Sequence, residues 1–363
     1  MNSSNSIINQ YNTKFQEFWY WFAENSNSFH QAIKTRELLE ENFFDKLTPQ
    51  LNELCEGIYF LTGMMNEITA ELIFTPDGVI KNIAFVEELV NAAPEIPNWK
   101  FTALKPETDI ENVGIQMDEF TFSSETVSFY PNEHAEYPDE IDITIVHKNF
   151  NEENKEVIIN GVYIFIDNYL GELNSVTTID NMTVIGESDA TQETISIDKL
   201  KDYLIWREKE FLEKYEGTRH NTQEDAYNSL QAELENGMPY IAIVNSTVLQ
   251  WENKASHPWI LSVEIDYEGD ESGLPDEFTY DLMNDFEDEI LQELTDSEGY
   301  LNIGRETAEN LREIHFACKE FRKPSQILYN LISKFEGKLN IDFHIYKDKY
   351  WQSFQRFDVN ESN

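Results

Sequence analysis

WILSVEIDY, residues 259–267, decides the fold. Trp259, Leu261, Val263, Ile265 and Tyr267 fall on alternate positions, the pattern of a strand with one face on a core. Downstream, Pro275–Leu294 carries Phe278, Leu282, Phe286 and Ile290 four apart, with Leu294 four further on, which predicts a helix with one apolar stripe. Strands are expected next at Tyr300–Arg305 and Leu311–Cys318, the second with Ile314, Phe316 and Cys318 alternating. A helix at Pro324–Phe335 and a last strand at Asn340–Tyr346 close the series.

That order, β-α-β-β-α-β, is the split βαβ arrangement of a ferredoxin-like sandwich, with two helices on one face of an antiparallel sheet. The class is α+β. In such a sheet the first strand is central, between the third and the fourth. With Val263 and Ile265 toward the helices, Glu264 faces the open side, as do Glu313 and His315, and Asp342, His344 and Tyr346. Glu264 between His315 and His344 has the chemistry of a metal site or a general acid–base pair. The competing reading is a covered face, packed on the N-terminal half or a partner, with its polar groups bonded to one another. The covered face is favoured, because polar rows on sheets that must be covered are common and metal triads are not.

The chain has 69 acidic against 26 basic residues, formally −43, yet also 24 Phe, 17 Tyr and 7 Trp. That aromatic content can fill sizeable cores, so the charge marks a folded protein with a negative surface and not a disordered chain. Such a surface repels phosphate backbones and anionic membranes and attracts a basic protein partner. Nucleic acid and membrane are therefore disfavoured. Cys55 and Cys318 stand far apart with no CxxC, which predicts small buried hydrophobes in a reducing cytoplasm. MNSSNSIINQ lacks the basic and apolar regions of a signal peptide, and no apolar run is long enough to span a bilayer. There is no GxGxxG, P-loop, HExxH or GxSxG, so no cofactor is expected and the reading leans away from an enzyme.

Two domains are expected: an N-terminal α+β domain over 1–216, a linker at 217–222, the ferredoxin-like domain over 223–358 and a tail at 359–363. The first half opens on an aromatic helix, Ile7–Glu24, then a helix at Thr35–Glu56 that Pro49 should kink or break. A β-α-β unit follows around the Pro76-Asp77-Gly78 turn. Strands near 113–147 surround an acidic loop, Asn132–Glu140. A helix at Asn154–Leu170, a strand at Val176–Ile185 and a helix at Ile197–Tyr215 complete a pattern that admits a second sandwich of the same kind. Thr222 should then start a helix ended by Gly237. The closing Tyr350, Trp351, Phe354 and Phe357 should fold back on the sheet.

Several stretches carry a family resemblance. Pro258-Trp259-Ile260, Ile265-Asp266-Tyr267 and Gly273-Leu274-Pro275 precede a helix ending Glu287-Asp288-Glu289-Ile290. With Arg312-Glu313-Ile314-His315-Phe316-Ala317 and Tyr346–Phe354, they resemble the bacterial domain of unknown function 695 family over about a third of the chain. Relatives of that family look akin to ferredoxin-like protein regulators of ribonuclease E, acidic proteins that act by binding the nuclease. The resemblance implies a non-catalytic protein-binding factor, an inhibitor, immunity-like or regulatory protein, and assigns no functional residue. The alternative from the residues themselves is a metal-assisted hydrolase using Glu264, His315 and His344. Met1–Tyr215 resembles no family that can be named.

Overall fold

A computed structural model describes residues 4–111 and 113–357, with side chains from Thr13 onward. It divides into two compact units, Thr13–Lys214 and a second from Tyr215 onward, with which residues 4–12 are grouped.

In the first unit α1 (Ser4–Thr35) runs well past the expected Glu24. Phe15, Phe18, Trp19, Phe22 and Phe29 on it are buried, and Trp19 Nε1 donates to the Leu89 carbonyl at 2.7 Å. The break expected at Pro49 falls earlier, where Arg36 and Leu38 take left-handed φ of 58° and 48°. A π turn, Glu40–Phe44, then leads into α2 (Asp45–Leu54), which holds Pro49 inside it. Cys55 beyond it is half-buried, less enclosed than expected.

β1 (Tyr59–Met64), β2 (Ala70–Thr75) and β3 (Trp99–Ala103) form one sheet, with α3 (Ile80–Asn91) as the crossover between the parallel β2 and β3. The α1 aromatics pack on this sheet, with ring centroids of Trp19 and Phe101 4.5 Å apart and of Phe22 and Trp99 4.9 Å apart. The aromatic stripe is core, as its density on one helix face implies.

β4 (Ile115–Met117) and β5 (Phe120–Phe122) form a small hairpin, and β6 (Val127–Asn132) and β7 (Asp142–His147) pair antiparallel. After α4 (Lys155–Leu170) the strand expected from Val176 is in fact α5 (Glu172–Thr178) followed by β8 (Asn181–Gly186). β9 (Ile195–Ser196) completes the order β8-β7-β6-β9, and α6 (Leu200–Tyr215) closes the unit. Buried Glu172 explains the misplaced strand. Its carboxylate accepts from Thr75 Oγ1 (2.6 Å), Gly78 N (3.0 Å) and Lys105 N (3.0 Å), so α5 is held as a clasp between both sheets' connections. The acidic loop is clasped too, because Arg207 donates to the carbonyls of Pro138 and Glu140 and Lys214 pairs with Asp139. With parallel pairs in both larger sheets, this unit does not repeat the pattern of the second.

In the second unit the helix expected from Thr222 is a single 3₁₀ turn, Thr222–Glu224. β10 (Tyr227–Glu233) follows and pairs with β11 (Pro239–Asn245), the hairpin turning at Gly237, whose φ is +84°. Pairing with β11 overrides the local helical pattern. After α7 (Ser246–Leu249) come β12 (Trp259–Asp266), α8 (Glu277–Glu293), β13 (Tyr300–Ala308), β14 (Leu311–Cys318), α9 (Arg322–Phe335) and β15 (Asn340–Lys347). The all-antiparallel order is β10-β11-β13-β14-β12-β15, with β12 between β14 and β15 as the order of strands and helices implies.

Leu261, Val263, Ile265, Ile314, Phe316 and Phe343 meet the helices, where the rings of Phe286 on α8 and Phe335 on α9 lie 5.1 Å apart. The stripe of α8 is Met283, Phe286 and Ile290. Phe286, Ile290 and Leu294 are buried as expected, but at the start of the helix Phe278 is 76% exposed and Met283 fills the core instead. The opposite face is covered by the chain's own closing segment. Trp351, Phe354 and Phe357 pack with Ile260, Leu301, Ala317, Ala242 and Val244, and Trp351 Nε1 donates to the His257 carbonyl at 3.0 Å.

β13 carries one extra residue, a bulge between Asn302 and Gly304. Gly304 has φ +142°, and a Cβ there would lie 2.3 Å from the Ile243 carbonyl oxygen, so only glycine lets β11 run this close.

Candidate functional site

Beyond the bulge, strand register aligns four carboxylates across four strands. Glu306 on β13 lies opposite Glu313 on β14, Glu313 opposite Glu264 on β12, and Glu264 opposite Asp342 on β15. In the neighbouring row Ser262 stands opposite both His315 and His344. Like charges facing one another across strands destabilise a sheet unless each is separately handled.

At the covered end, Glu306 is buried and receives Nε2 of His315 at 2.9 Å, the Tyr240 hydroxyl and the Arg356 guanidinium. Burial pushes its carboxyl up, but hydrogen bonds from His315, Arg356 and Tyr240 outweigh that and hold it at about 2. Burial and the adjacent carboxylate push the Tyr240 phenol far above its ordinary range. Phe354 closes over His315 with ring centroids 5.1 Å apart, and His315 Nδ1 is buried with no partner among the described residues.

Glu313 is next in the row. Burial is the main cause that raises its carboxyl; His315 and, less, Arg356 pull it down, and the carboxylates of Glu306 and Glu264 on either side push it up. Glu264 and His344 then meet at 3.6 Å, with Asp342 3.9 Å from the same imidazole; His344 and Asp342 are exposed.

The sequence places Glu264, His315 and His344 on one face, and the structure does so. It does not bring the three together. The histidines flank Ser262 from opposite sides, about two strand spacings or roughly 10 Å apart at the backbone. His315 turns to Glu306, while His344 stays with Glu264. Among the described residues no group of three or more His, Cys, Asp or Glu is placed to hold a metal ion. The cover over His315, expected from the N-terminal half or a partner, comes from Phe354 in its own unit. Glu306 was missed because the strand was expected to stop at Arg305, and alternation without the bulge would send Glu306 to the other face. Arg356 was missed because only the aromatic residues of the closing segment give a signal.

Residues 232–357 match the model of a family of unknown function, DUF695. The DUF695 stretch opens within β10 and closes at Phe357, so it takes in the carboxylate row and the segment that covers one end of it. No curated protein and no solved structure matches the chain. Among the described residues no helix is long and apolar enough to cross a membrane.

Proposed function

We propose that this chain is a non-catalytic bacterial cytoplasmic protein that works by binding a basic protein partner, as a regulatory, inhibitor or immunity-like factor. The observation that carries this reading is the outer part of the carboxylate row. Glu313, Glu264 and Asp342 stand in register on adjacent strands, outside the closing segment, in a chain with formal charge −43. A lysine or arginine from a partner relieves their mutual repulsion, and the overall charge steers such a partner in. The strand order supports a ferredoxin-like sandwich enlarged by the β10–β11 hairpin. The resemblance to ferredoxin-like regulators of ribonuclease E points to the same mode of action.

The test is affinity capture from bacterial lysate with the intact protein and with Glu264→Gln/Asp342→Asn. A basic protein retained at low salt, released at high salt and lost by the double variant is expected. Capture that ignores both salt and the substitutions overturns the reading. Stoichiometric zinc or manganese retained through metal-free buffers, and lost with Glu264→Gln or His344→Asn, would replace it with the metal-assisted hydrolase.

A further inference from the structure

On the helix side of the same sheet lies a cavity of about 250 Å³, lined by Arg305, Arg312, Tyr280, Ile241, Ile243 and Leu274 among others. Arg312 is 1% exposed. Its Nη1 donates to Asn284 Oδ1 at 2.9 Å, its Nε donates to Thr307 Oγ1 at 3.3 Å, and its guanidinium sits 4.8 Å from the centre of the Tyr280 ring. Nη2 has no partner among the described residues, and no carboxylate there pairs with Arg312. A buried guanidinium with no carboxylate bonded to it is costly. It is also improbable by composition, since acidic residues outnumber basic ones 69 to 26. Arg305 beside it is satisfied, its Nη1 2.6 Å from Glu287 Oε2. Burial and then the like charge of Arg305 push Arg312 below its ordinary range, against a weaker opposing pull from Glu287.

We propose that this cavity binds a small monocarboxylate that carries an apolar group. Two arginines less one glutamate leave a single positive charge, which suits a monoanion better than a phosphate dianion. The planar fork of Arg312 matches a carboxylate, and the walls formed by Ile241, Ile243, Leu274 and the Tyr280 ring take the apolar part. The volume lies below the range of about 300–1,000 Å³ of drug-sized sites, so the occupant is small. The same chemistry is offered by a free acid and by the C-terminus of a peptide ending in an apolar residue.

Titration calorimetry of the intact protein separates these. The probes are phenylacetate, its amide, and a short peptide ending in leucine with a free or an amidated C-terminus. Binding by at least one free carboxylate is expected, with its amide weaker by tenfold or more, about 1.4 kcal/mol. Arg312→Lys keeps the charge but loses the fork, and should weaken that binding by about tenfold or more. Ile241→Phe, which fills the cavity from the half-buried β11, should do the same and stands in if Arg312→Lys fails to fold. Preference for the acid assigns a metabolite, and preference for the peptide assigns a chain terminus. No binding by any probe, equal binding of acid and amide, or undiminished binding to the filled-cavity variant overturns the proposal.

Discussion

Glu306 accepts hydrogen bonds from three side chains on two oxygens while buried, and that makes it a stability element with a defined pH window. Its carboxyl is held at about 2 in the folded protein against an ordinary 4.5. Its contribution is therefore complete above pH 4.5 and is lost as pH falls toward 2. Glu306→Gln should cost about 1–3 kcal/mol at pH 7, because it removes the charged acceptor of buried His315 and of the Tyr240 hydroxyl, while the exposed Arg356 can turn to water. In urea titrations the gap between variant and parent should close as pH drops through that window. His257 works in a higher one. Burial first, then Lys319 and His220, depress its imidazole to about 4 from 6.5. Proton uptake thus favours the unfolded chain, and stability present above pH 6.5 declines as pH falls toward 4, by up to about 3 kcal/mol. His257→Gln should flatten the stability profile between those limits; an unchanged slope there would assign the decline to other groups.

At the scale of elements, the contact between β11 and β13 depends on Gly304. Gly304→Ala sets a methyl 2.3 Å from the Ile243 carbonyl oxygen at φ +142°, so a loss of about 2–4 kcal/mol is expected in chemical denaturation. Gly114→Ala, where a Cβ meets nothing within 4 Å, serves as the control and should change little. The strands were legible where alternate residues are apolar, as in Trp259–Tyr267, whereas its place between β14 and β15 was readable only from the order of strands and helices around it. The fold-back of Trp351, Phe354 and Phe357 was legible for the same reason, since aromatic residues at helical spacing need a surface to cover. The bulge left no trace, because Asn302-Ile303-Gly304 reads as uninterrupted strand. Nor did β10, whose residues are almost all exposed and whose pairing is fixed by β11 and not by its own pattern. For the candidate site the face was readable and the partners were not, because partners follow from register between strands distant in sequence.

For the whole molecule, the division between Lys214 and Tyr215 predicts where the chain can be cut. Arg219 is exposed just beyond α6, and brief trypsin treatment should cleave at or near it and leave two resistant fragments. Cleavage spread evenly along the chain, or none at all, would argue for one cooperative unit. The second unit also has an electrical polarity that rests on a single residue. Side chains of a strand alternate like odd and even numbers, and the extra residue in β13 changes that parity. Upstream of it Leu301 faces the closing segment. Downstream, Arg305 and Thr307 point to the cavity and Glu306 to the carboxylate row. In a homologue whose β13 is one residue shorter before this point, a slip of the downstream strand would take the arginine out of the cavity and the glutamate away from His315 at the same time. The two faces must therefore be inherited, or lost, together.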